Sequence, residues 1–269
     1  MIDYAFAWLL GRNLLLLGAV LFALLSVAGE LGFRVGAWRV RQRPCQDREL
    51  AGVSTFTGGM LALLAFTLGL TISFAQDRFE ARRALVVQEA NAIGTAWLRA
   101  GLVTGDEGPA MAGWIEDYAK VRLAYTIAES TAPEPRLIAE TKALQTRIWE
   151  AVTRVARRDP TPVTSSLIVS LNEMFDSGLA QRFAYDSRGP VNLTWMLLIG
   201  SLLAIGAMNY QLGLSGVRQI ALTSLLLVMW SGGMVLITDL NRARLGSIRV
   251  DPAPLVWTIQ GFTPPSAGR

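Results

Sequence analysis

The sequence predicts an all-α integral membrane protein, with four transmembrane helices and a helical soluble domain inserted between spans two and three. Three observations support this fold class. The 269-residue chain has a mean hydropathy of +0.37 and only 17 % charged residues, which is more apolar than an ordinary soluble domain. Four apolar stretches are long enough to cross a bilayer as helices. No segment shows the sustained polar–apolar alternation of a half-buried strand.

The four candidate spans each supply about 20 mainly apolar residues, the length that a helix needs to cross the hydrocarbon layer. They lie at residues 14–33, at 53–75, within the uncharged stretch 189–217, and at 219–238. Trp195, Asn209 and Tyr210 lie near the ends of the third span, as aromatic and amide residues do at membrane interfaces. The sequence therefore predicts a multi-pass protein whose first partner is the lipid bilayer.

Span two continues into polar sequence without a break. Residues 46–108 contain no proline, and the uncharged run 51–75 leads directly into Gln76, Asp77 and Arg78. Since proline is the strongest helix breaker, we expect one long helix that leaves the membrane. The domain boundaries follow: spans one and two at 1–75, the soluble domain at 76–190, spans three and four at 191–240, and a C-terminal tail at 241–269.

The inserted region is expected to be helical throughout. Val86, Ala90, Ile93 and Trp97 recur at helical spacing, and they would form one apolar face of the first helix, which continues span two. Proline-containing segments punctuate the rest, including Asp159-Pro160-Thr161-Pro162, after which Ser165 is a suitable cap for the last helix of the domain. The Pro- and Gly-containing end from Thr263 onward is predicted to be disordered.

Composition excludes several functions. The chain has no histidine, and Cys45 is its only cysteine. This excludes intramolecular disulfides, thiolate or imidazole zinc sites, and catalysis with histidine as the base. The sequence also has no Gly-rich phosphate loop, no nucleophile elbow and no carboxylate pair at an acid–base spacing. We therefore predict no enzyme activity, no catalytic residue, no metal and no cofactor, and the small net charge of +4 does not indicate nucleic-acid binding.

Span two also has a possible pore face. Ala62, Phe66 and Leu70 are spaced four residues apart on one side of the helix, with Thr67, Thr71 and Phe74 beside them. Symmetric copies would form stacked hydrophobic rings, and such a constriction can gate inorganic ions by dewetting. Gly58, Gly59, Gly69 and the hydroxyl residues of the span equally suit a helix that only packs closely against others, so both interpretations stay open.

A charged stripe follows the candidate pore face along the same helix. Arg78, Arg82 and Glu89 fall within about 40° of one another at 100° per residue. They could line the vestibule of an ion path, or they could form an ion-paired structural face. At the membrane edges, Glu30 with Arg34 and Asp239 with Arg242 are interpreted as interfacial ion pairs rather than as a proton relay.

Two blocks of sequence carry a family resemblance. Leu68-Gly69-Leu70 followed by residues 77–82 resembles the second helix of bestrophins. Residues 78–94, which include Arg78, Arg82, Glu89 and Asn91, resemble the bacterial bestrophin-like domain family, as do Asp239-Leu240-Asn241-Arg242 and residues 246–250. The length and the order of spans also match that family across nearly the whole chain.

The resemblance implies an all-helical ion channel built as a homopentamer in a bacterial inner (plasma) membrane. Both termini and residues 76–190 would be cytoplasmic, and Phe66 and Leu70 would lie in the neck of a pore lined by the second helix. The chain departs from bestrophins proper at two positions, since Leu70 replaces a usual aromatic residue and Ala62 is small. No acidic cluster resembles the calcium clasp of animal bestrophins.

Charge counts leave the orientation and the function open. Five arginines in the short loop after span one favour a cytoplasmic loop, whereas a larger number on the other side favours a cytoplasmic inserted domain. The alternative function is a non-conducting membrane scaffold or signalling protein that binds a cytoplasmic partner through residues 76–190, with Trp114 and Trp149 as possible contacts. A proton-channel subunit comes last, because the Gly-rich signature of such subunits is missing.

Overall fold

A computed structural model describes residues 13–129, 135–187, 189 and 191–262, with Val191 described by its backbone alone. All regular secondary structure in these residues is helical, which confirms the predicted all-α class. The helices are α1 (Leu14–Gln42), α2 (Asp47–Ala100), α3 (Glu107–Ile127), α4 (Pro135–Arg158), α5 (Pro162–Asp186), α6 (Val191–Ser215), α7 (Ile220–Asn241) and α8 (Ala253–Gln260). The segment predicted to be disordered, from Thr263 onward, lies outside the described residues.

Four helices are long and apolar enough to cross a membrane, namely α1, α2, α6 and α7. They correspond to the four predicted spans, and the chain is an integral membrane protein. Helix α2 has 54 residues, so it extends well beyond the length that a bilayer requires. The absence of proline from residues 46–108 allows this length, as the sequence predicts.

The chain divides into two compact units. The first, called here the membrane unit, comprises Met1–Asp77 and Arg188–Arg242; the second, the hydrophilic unit, comprises Arg78–Ser187 and Ala243–Arg269. The sequence predicts a C-terminal tail at residues 241–269, but in the structure α8 belongs to the hydrophilic unit. Leu255 is fully buried there, and Ile259 packs against the same core. A short apolar helix gains stability by this packing, which its sequence position does not reveal.

In the membrane unit, α1 packs against α6 and α7. Leu25 of α1 and Ile205 of α6 are fully buried, and Leu64 of α2 joins the same apolar cluster. Helices α1 and α6 approach so closely that their backbones touch. A Cβ atom added to Gly36 of α1 would overlap the carbonyl oxygen of Tyr210 and would lie 3.1 Å from Cα of Gly213.

The core of the hydrophilic unit forms around the predicted apolar face of α2. Val86, Ala90 and Ile93 are buried, and Trp97 packs at the edge of the core with its ring 5.2 Å from that of Phe262. Helices α3, α4, α5 and α8 contribute most of the remaining members of this core, and Val103 and Val250 join it from the connecting segments. The spacing rule thus identifies correctly which side of α2 faces its own domain.

The start of α5 differs from the sequence expectation. Its N-cap is Thr161, whose Oγ1 accepts a hydrogen bond from the backbone N–H of Thr164 at 3.2 Å, and not Ser165. Pro162 occupies the first turn, where its missing N–H has no cost and its fixed φ suits a helix. The helix therefore begins earlier than a cap at Ser165 would place it.

Candidate pore face and buried charge network

Within the membrane unit, α2 has one face packed against its own chain and one face exposed. Thr57, Leu64, Thr71 and Ala75 are buried, and Leu61, Leu68 and Ile72 pack against the apolar cluster. The three predicted pore residues lie on the exposed face: Phe66 is 64 % exposed, Leu70 is 42 % exposed, and Ala62 is exposed as well. The described residues of the chain therefore leave this face of α2 uncovered.

The predicted neighbours of that face divide between the two sides. Phe74 is 49 % exposed, whereas Thr71 is buried and donates a hydrogen bond to the carbonyl oxygen of Thr67 at 2.7 Å. Thr67 in turn donates to the carbonyl oxygen of Leu63 at 2.8 Å. Both hydroxyl groups satisfy themselves within α2, as threonines in membrane helices commonly do. Of the three, only Phe74 extends the exposed face.

The exposed side chains of α2 differ from those of the other spans. On α1, α6 and α7 the exposed residues are mainly large and apolar, as lipid contact favours, including Leu31, Leu203, Leu225 and Met229. On α2 the exposed residues of the span include six that are small: Gly58, Gly59, Ala62, Ala65, Gly69 and Ser73. Small residues are typical of membrane helix faces that another helix approaches closely.

Three glycines in the membrane-spanning part of α2 pack against none of the described residues. A Cβ atom added to Gly58, Gly59 or Gly69 would meet nothing within 4 Å. Glycine within a helix costs about 0.5–1 kcal/mol relative to alanine. The glycines of α1 differ, since a Cβ atom at Gly32 or Gly36 would overlap backbone atoms of α6. Gly58, Gly59 and Gly69 therefore leave room for another helix to approach this part of α2.

A buried charge network lies inside the hydrophilic unit. The Arg122 Nε donates to Glu89 Oε1 at 2.5 Å, and Nη2 of the same side chain lies 3.4 Å from Glu89 Oε2. The two side chains are 3 % and 0 % exposed, so this is a fully desolvated ion pair. Arg122 Nη2 also donates to the carbonyl oxygen of Gly178 at 3.1 Å and to Oε1 of Gln181. The pair thus links α2, α3 and α5.

Further hydrogen bonds extend this network. Gln181 Nε2 donates to Thr126 Oγ1 at 2.9 Å, and that hydroxyl donates to the carbonyl oxygen of Arg122 at 2.9 Å. Burial raises the pKa of Glu89, while the charge and hydrogen bonds of Arg122 act in the opposite direction. Burial likewise raises the pKa of Tyr185 to about 12, so this phenol is neutral at physiological pH.

A second arginine holds the segment that follows α7. The Arg244 guanidinium lies over the ring of Tyr125, 4.6 Å from its centroid, and 5.4 Å from the centroid of Tyr185. Its Nη1 donates to Asp186 Oδ1 at 3.3 Å. Such cation–π and charged contacts attach residues near Ala243 to α3 and α5. No local sequence pattern indicates this role for Arg244, because only the fold brings Tyr125 and Arg244 together.

The predicted vestibule stripe lies largely in the core. Glu89 is fully buried against Arg122, and Arg82 is 2 % exposed, with its Nε donating to the carbonyl oxygen of Ala184 at 3.1 Å. Arg78 is half-buried, and only Asn91 is exposed. Side chains that line an aqueous vestibule must reach water, so the burial of Arg82 and Glu89 contradicts that expectation for both residues. The ion-paired structural face, the alternative, describes Glu89 correctly.

The residues predicted at the membrane edges have different surroundings. Arg34 Nε contacts Glu30 Oε1 at 2.8 Å, which confirms this pair, and Arg218 joins it with Nη2 at 3.1 Å from the same oxygen. Asp239 is buried at the end of α7, where the backbone N–H of Arg242 donates to its carbonyl oxygen at 3.0 Å. Arg242 is thus the C-cap of α7, whereas Glu30 and Arg34 pair within α1.

The two tryptophans proposed as partner contacts also pack within the chain. Arg147 lies over the Trp114 ring at 4.3 Å, and the Trp149 ring lies 6.4 Å from that of Phe175. Trp114 is half-buried and Trp149 is 40 % exposed. Among the described residues, no group of three His, Cys, Asp or Glu side chains could hold a metal ion.

The fold, the exposed face of α2 and the buried charge network define a class of protein. Its members are four-span, all-helical membrane proteins with a hydrophilic helical unit that shares its first helix with the second span. Structural comparison finds a similar fold in a bacterial bestrophin homologue from Klebsiella pneumoniae. Crystal structures of two of its single-residue variants match with TM-scores of 0.65 and 0.63, at 12 % and 13 % sequence identity. Both alignments cover 93 % of this chain, and 95 % and 97 % of the homologue.

A further crystal structure, described only as that of a membrane protein variant, has a TM-score of 0.66 at 13 % identity and covers 90 % of this chain and 96 % of that one. No family model matches the sequence, and no curated protein matches it. The chain therefore has the bestrophin-like fold over nearly its whole length. The resemblance predicted from residues 78–94 and 239–250 is confirmed at the level of the fold.

Proposed function

We propose that the protein is an oligomeric ion channel whose pore runs along α2. The observation that carries this proposal is the exposed face of α2, which is rich in small residues and which the described part of its own chain does not cover. Rotational symmetry would place this face from several copies around one axis. The bestrophin-like fold supports the same arrangement, and we take the number of five copies from the family resemblance.

In such a ring the side chains of Phe66 and Leu70 would point toward the axis, and Ala62 would widen the path one turn away. Phe66 and Leu70 are apolar, so the narrow part of the pore would be hydrophobic and would gate by exclusion of water. The exposed glycines Gly58 and Gly69 would allow the neighbouring copy to approach. Ions, rather than a bound cofactor, would be the ligands of this site.

The first prediction tests the constriction. Replacing both residues, Phe66→Ala and Leu70→Ala, should increase the current through single channels severalfold, because a wider and less apolar neck is wetted more easily. The measurement is single-channel recording of the purified full-length protein in planar bilayers. The matched control is Leu203→Ala with Leu225→Ala, two residues that are as exposed on α6 and α7 but lie on faces that we assign to lipid.

Two outcomes would contradict the channel. Wild-type protein that never conducts, or that has the mass of a single copy in detergent, is incompatible with a pore between subunits. Conduction that is unchanged by the Phe66 and Leu70 substitutions would be compatible with a channel, but it would exclude this face of α2 as the neck. An equal effect of the control pair would indicate altered lipid packing instead.

The second prediction concerns orientation. We place the hydrophilic unit in the cytoplasm of a bacterium with the protein in the inner membrane, so the loop between α1 and α2 lies on the other side. Cys45, the only cysteine, is partly exposed in that loop. A membrane-impermeant maleimide should therefore label it in intact spheroplasts. In a Cys45→Ala background, Glu150→Cys on the exposed surface of α4 should label only after permeabilisation; the reverse pattern would invert the topology.

A further inference from the structure

A small polar pocket lies within the membrane unit, between α1, α6 and α7. Its volume is about 130 Å³, which is room for a group of roughly the size of benzene. Glu30 of α1, Asn209 of α6 and Arg218 of the α6–α7 connection line it together with apolar side chains. The position of Arg218 between the two spans places the pocket near one end of the membrane unit, at the level where lipid headgroups lie.

Two oxygen atoms of the pocket accept no hydrogen bond from any of the described residues. Asn209 is only 7 % exposed, and its Nδ2 donates to the carbonyl oxygen of Ile205 at 3.0 Å, which leaves Oδ1 as an acceptor. Both arginine contacts of Glu30 use Oε1, so Oε2 is available as well. The amide lies directly against α1, since a Cβ atom at Gly29 would be 2.9 Å from Asn209 Nδ2. A buried amide oxygen and a carboxylate oxygen together suit a cationic ligand with several N–H donors.

Groups that attract an anion lie in the same pocket. The Arg218 guanidinium stacks over the Phe33 ring at 4.3 Å and contacts Glu30 only through Nη2, at 3.1 Å, so most of its N–H donors remain available. The pocket also includes Ile220, the first residue of α7, whose N-cap Gln219 makes no capping hydrogen bond through its side chain within the described chain. The first N–H groups of a helix have no partner within it, and they favour phosphate and other anions.

We propose that this pocket binds the headgroup of a phospholipid that carries both a phosphate and a primary ammonium group. Glu30 and Asn209 would accept hydrogen bonds from the ammonium group, while Arg218 and the start of α7 would hold the phosphate. Ile220 lines the pocket and is 66 % exposed, so the pocket adjoins the apolar outer surface that the lipid tails would contact. The protein would bind this lipid whether or not it conducts ions.

The test is native mass spectrometry of the delipidated full-length protein, titrated with phosphatidylethanolamine, phosphatidylcholine or phosphatidylglycerol with the same tails. Phosphatidylcholine keeps the phosphate, but its ammonium group has no N–H donor, and phosphatidylglycerol has no ammonium group. We expect phosphatidylethanolamine to bind about tenfold more tightly than either, because a charge-assisted hydrogen bond contributes about this much. Equal binding of the three lipids, or tighter binding of phosphatidylglycerol, would overturn the inference.

Substitutions locate the bound lipid. Glu30→Gln should abolish the preference for phosphatidylethanolamine over phosphatidylcholine, whereas Arg218→Gln should weaken the binding of both lipids about tenfold and keep their order. The matched control is Arg34→Gln, which removes the other arginine partner of Glu30, at 2.8 Å, from a position that does not line the pocket. It should leave the preference intact. Binding that neither Glu30→Gln nor Arg218→Gln changes would place the lipid elsewhere and overturn the proposed site.

A free headgroup distinguishes a lipid from a soluble ligand. O-phosphoethanolamine carries the same two charged groups without tails, so it should displace phosphatidylethanolamine only at a much higher concentration than the lipid itself requires. Equal affinity for the free compound would overturn a lipid as the occupant of the pocket. Absence of ion current would contradict the proposed channel, but it would leave the expected lipid binding unchanged.

Discussion

Replacing Arg122 by methionine should destabilise the hydrophilic unit by about 3–5 kcal/mol, which is the usual cost of removing one partner from a buried ion pair. The substitution leaves the Glu89 carboxylate fully buried without its counter-charge. It also removes the donor that satisfies the carbonyl oxygen of Gly178 and the side chain of Gln181. Since an entire domain has only about 5–15 kcal/mol of stability, much of the protein should misfold.

The destabilisation caused by Arg122→Met should depend on pH in a defined direction. Burial already raises the pKa of Glu89 above 4.5, and the loss of Arg122 removes the attraction that opposes this rise. A carboxyl group with a raised pKa in the folded state stabilises the fold below its unfolded pKa, and this contribution is lost as the pH rises through the folded pKa. The loss of unfolding free energy in Arg122→Met relative to wild type should therefore be smallest near about pH 4.5 and should grow toward neutrality.

Thermal unfolding in detergent, followed by far-ultraviolet circular dichroism at a series of pH values, measures this effect. Lys120→Met is the matched control, because Lys120 lies on the exposed side of α3 and pairs only with exposed Asp117 at 3.2 Å. It should change the melting temperature little. Adding Glu89→Gln to Arg122→Met should remove the pH-dependent part of the deficit; a deficit that keeps the same pH dependence would show that Glu89 is not its source.

Replacing Gly36 by leucine should separate α1 from α6. Its Cβ would overlap the Tyr210 carbonyl oxygen, and it would lie 3.0 Å from the Leu214 backbone nitrogen. Backbone atoms cannot move aside as a flexible side chain can, so we expect at least the 1–3 kcal/mol that overpacking typically costs. In a membrane the loss also removes the close packing that holds helices together, since lipid is as apolar as leucine.

The measurement is the melting temperature and the yield of monodisperse protein after extraction. Gly232→Leu on α7 is the matched control, because a Cβ there meets nothing within 4 Å. It should be tolerated within the single chain. Equal yields and melting temperatures for the two variants would contradict close contact between the α1 and α6 backbones.

Local sequence patterns predict much of this fold. Hydropathy identifies the four spans because a bilayer admits only long apolar helices with all backbone groups satisfied internally. The absence of proline from residues 46–108 predicts a single long α2, and the spacing of Val86, Ala90 and Ile93 predicts which side is buried. These features depend on residues that are near one another in the chain, so they can be read without the fold.

The candidate site is predicted only in part. The spacing of Ala62, Phe66 and Leu70 places them correctly on one exposed face of α2. Spacing cannot decide what lies opposite a face, so for Arg82 and Glu89 it leaves both an aqueous vestibule and an ion-paired structural face open. Their partners, Ala184 and Arg122, are 102 and 33 residues away in sequence, so only tertiary packing brings them together.

By itself the sequence determined that this is a four-span helical membrane protein with a long second helix, because apolar length and helical period are local properties. The tertiary structure decided the rest. It buried Glu89 against Arg122, brought Gly36 and Gly213 into backbone contact, and left the small-residue face of α2 uncovered by the described residues. Burial and ion pairing depend on which residues meet across the fold, and this uncovered face of α2 is where we place the ion path.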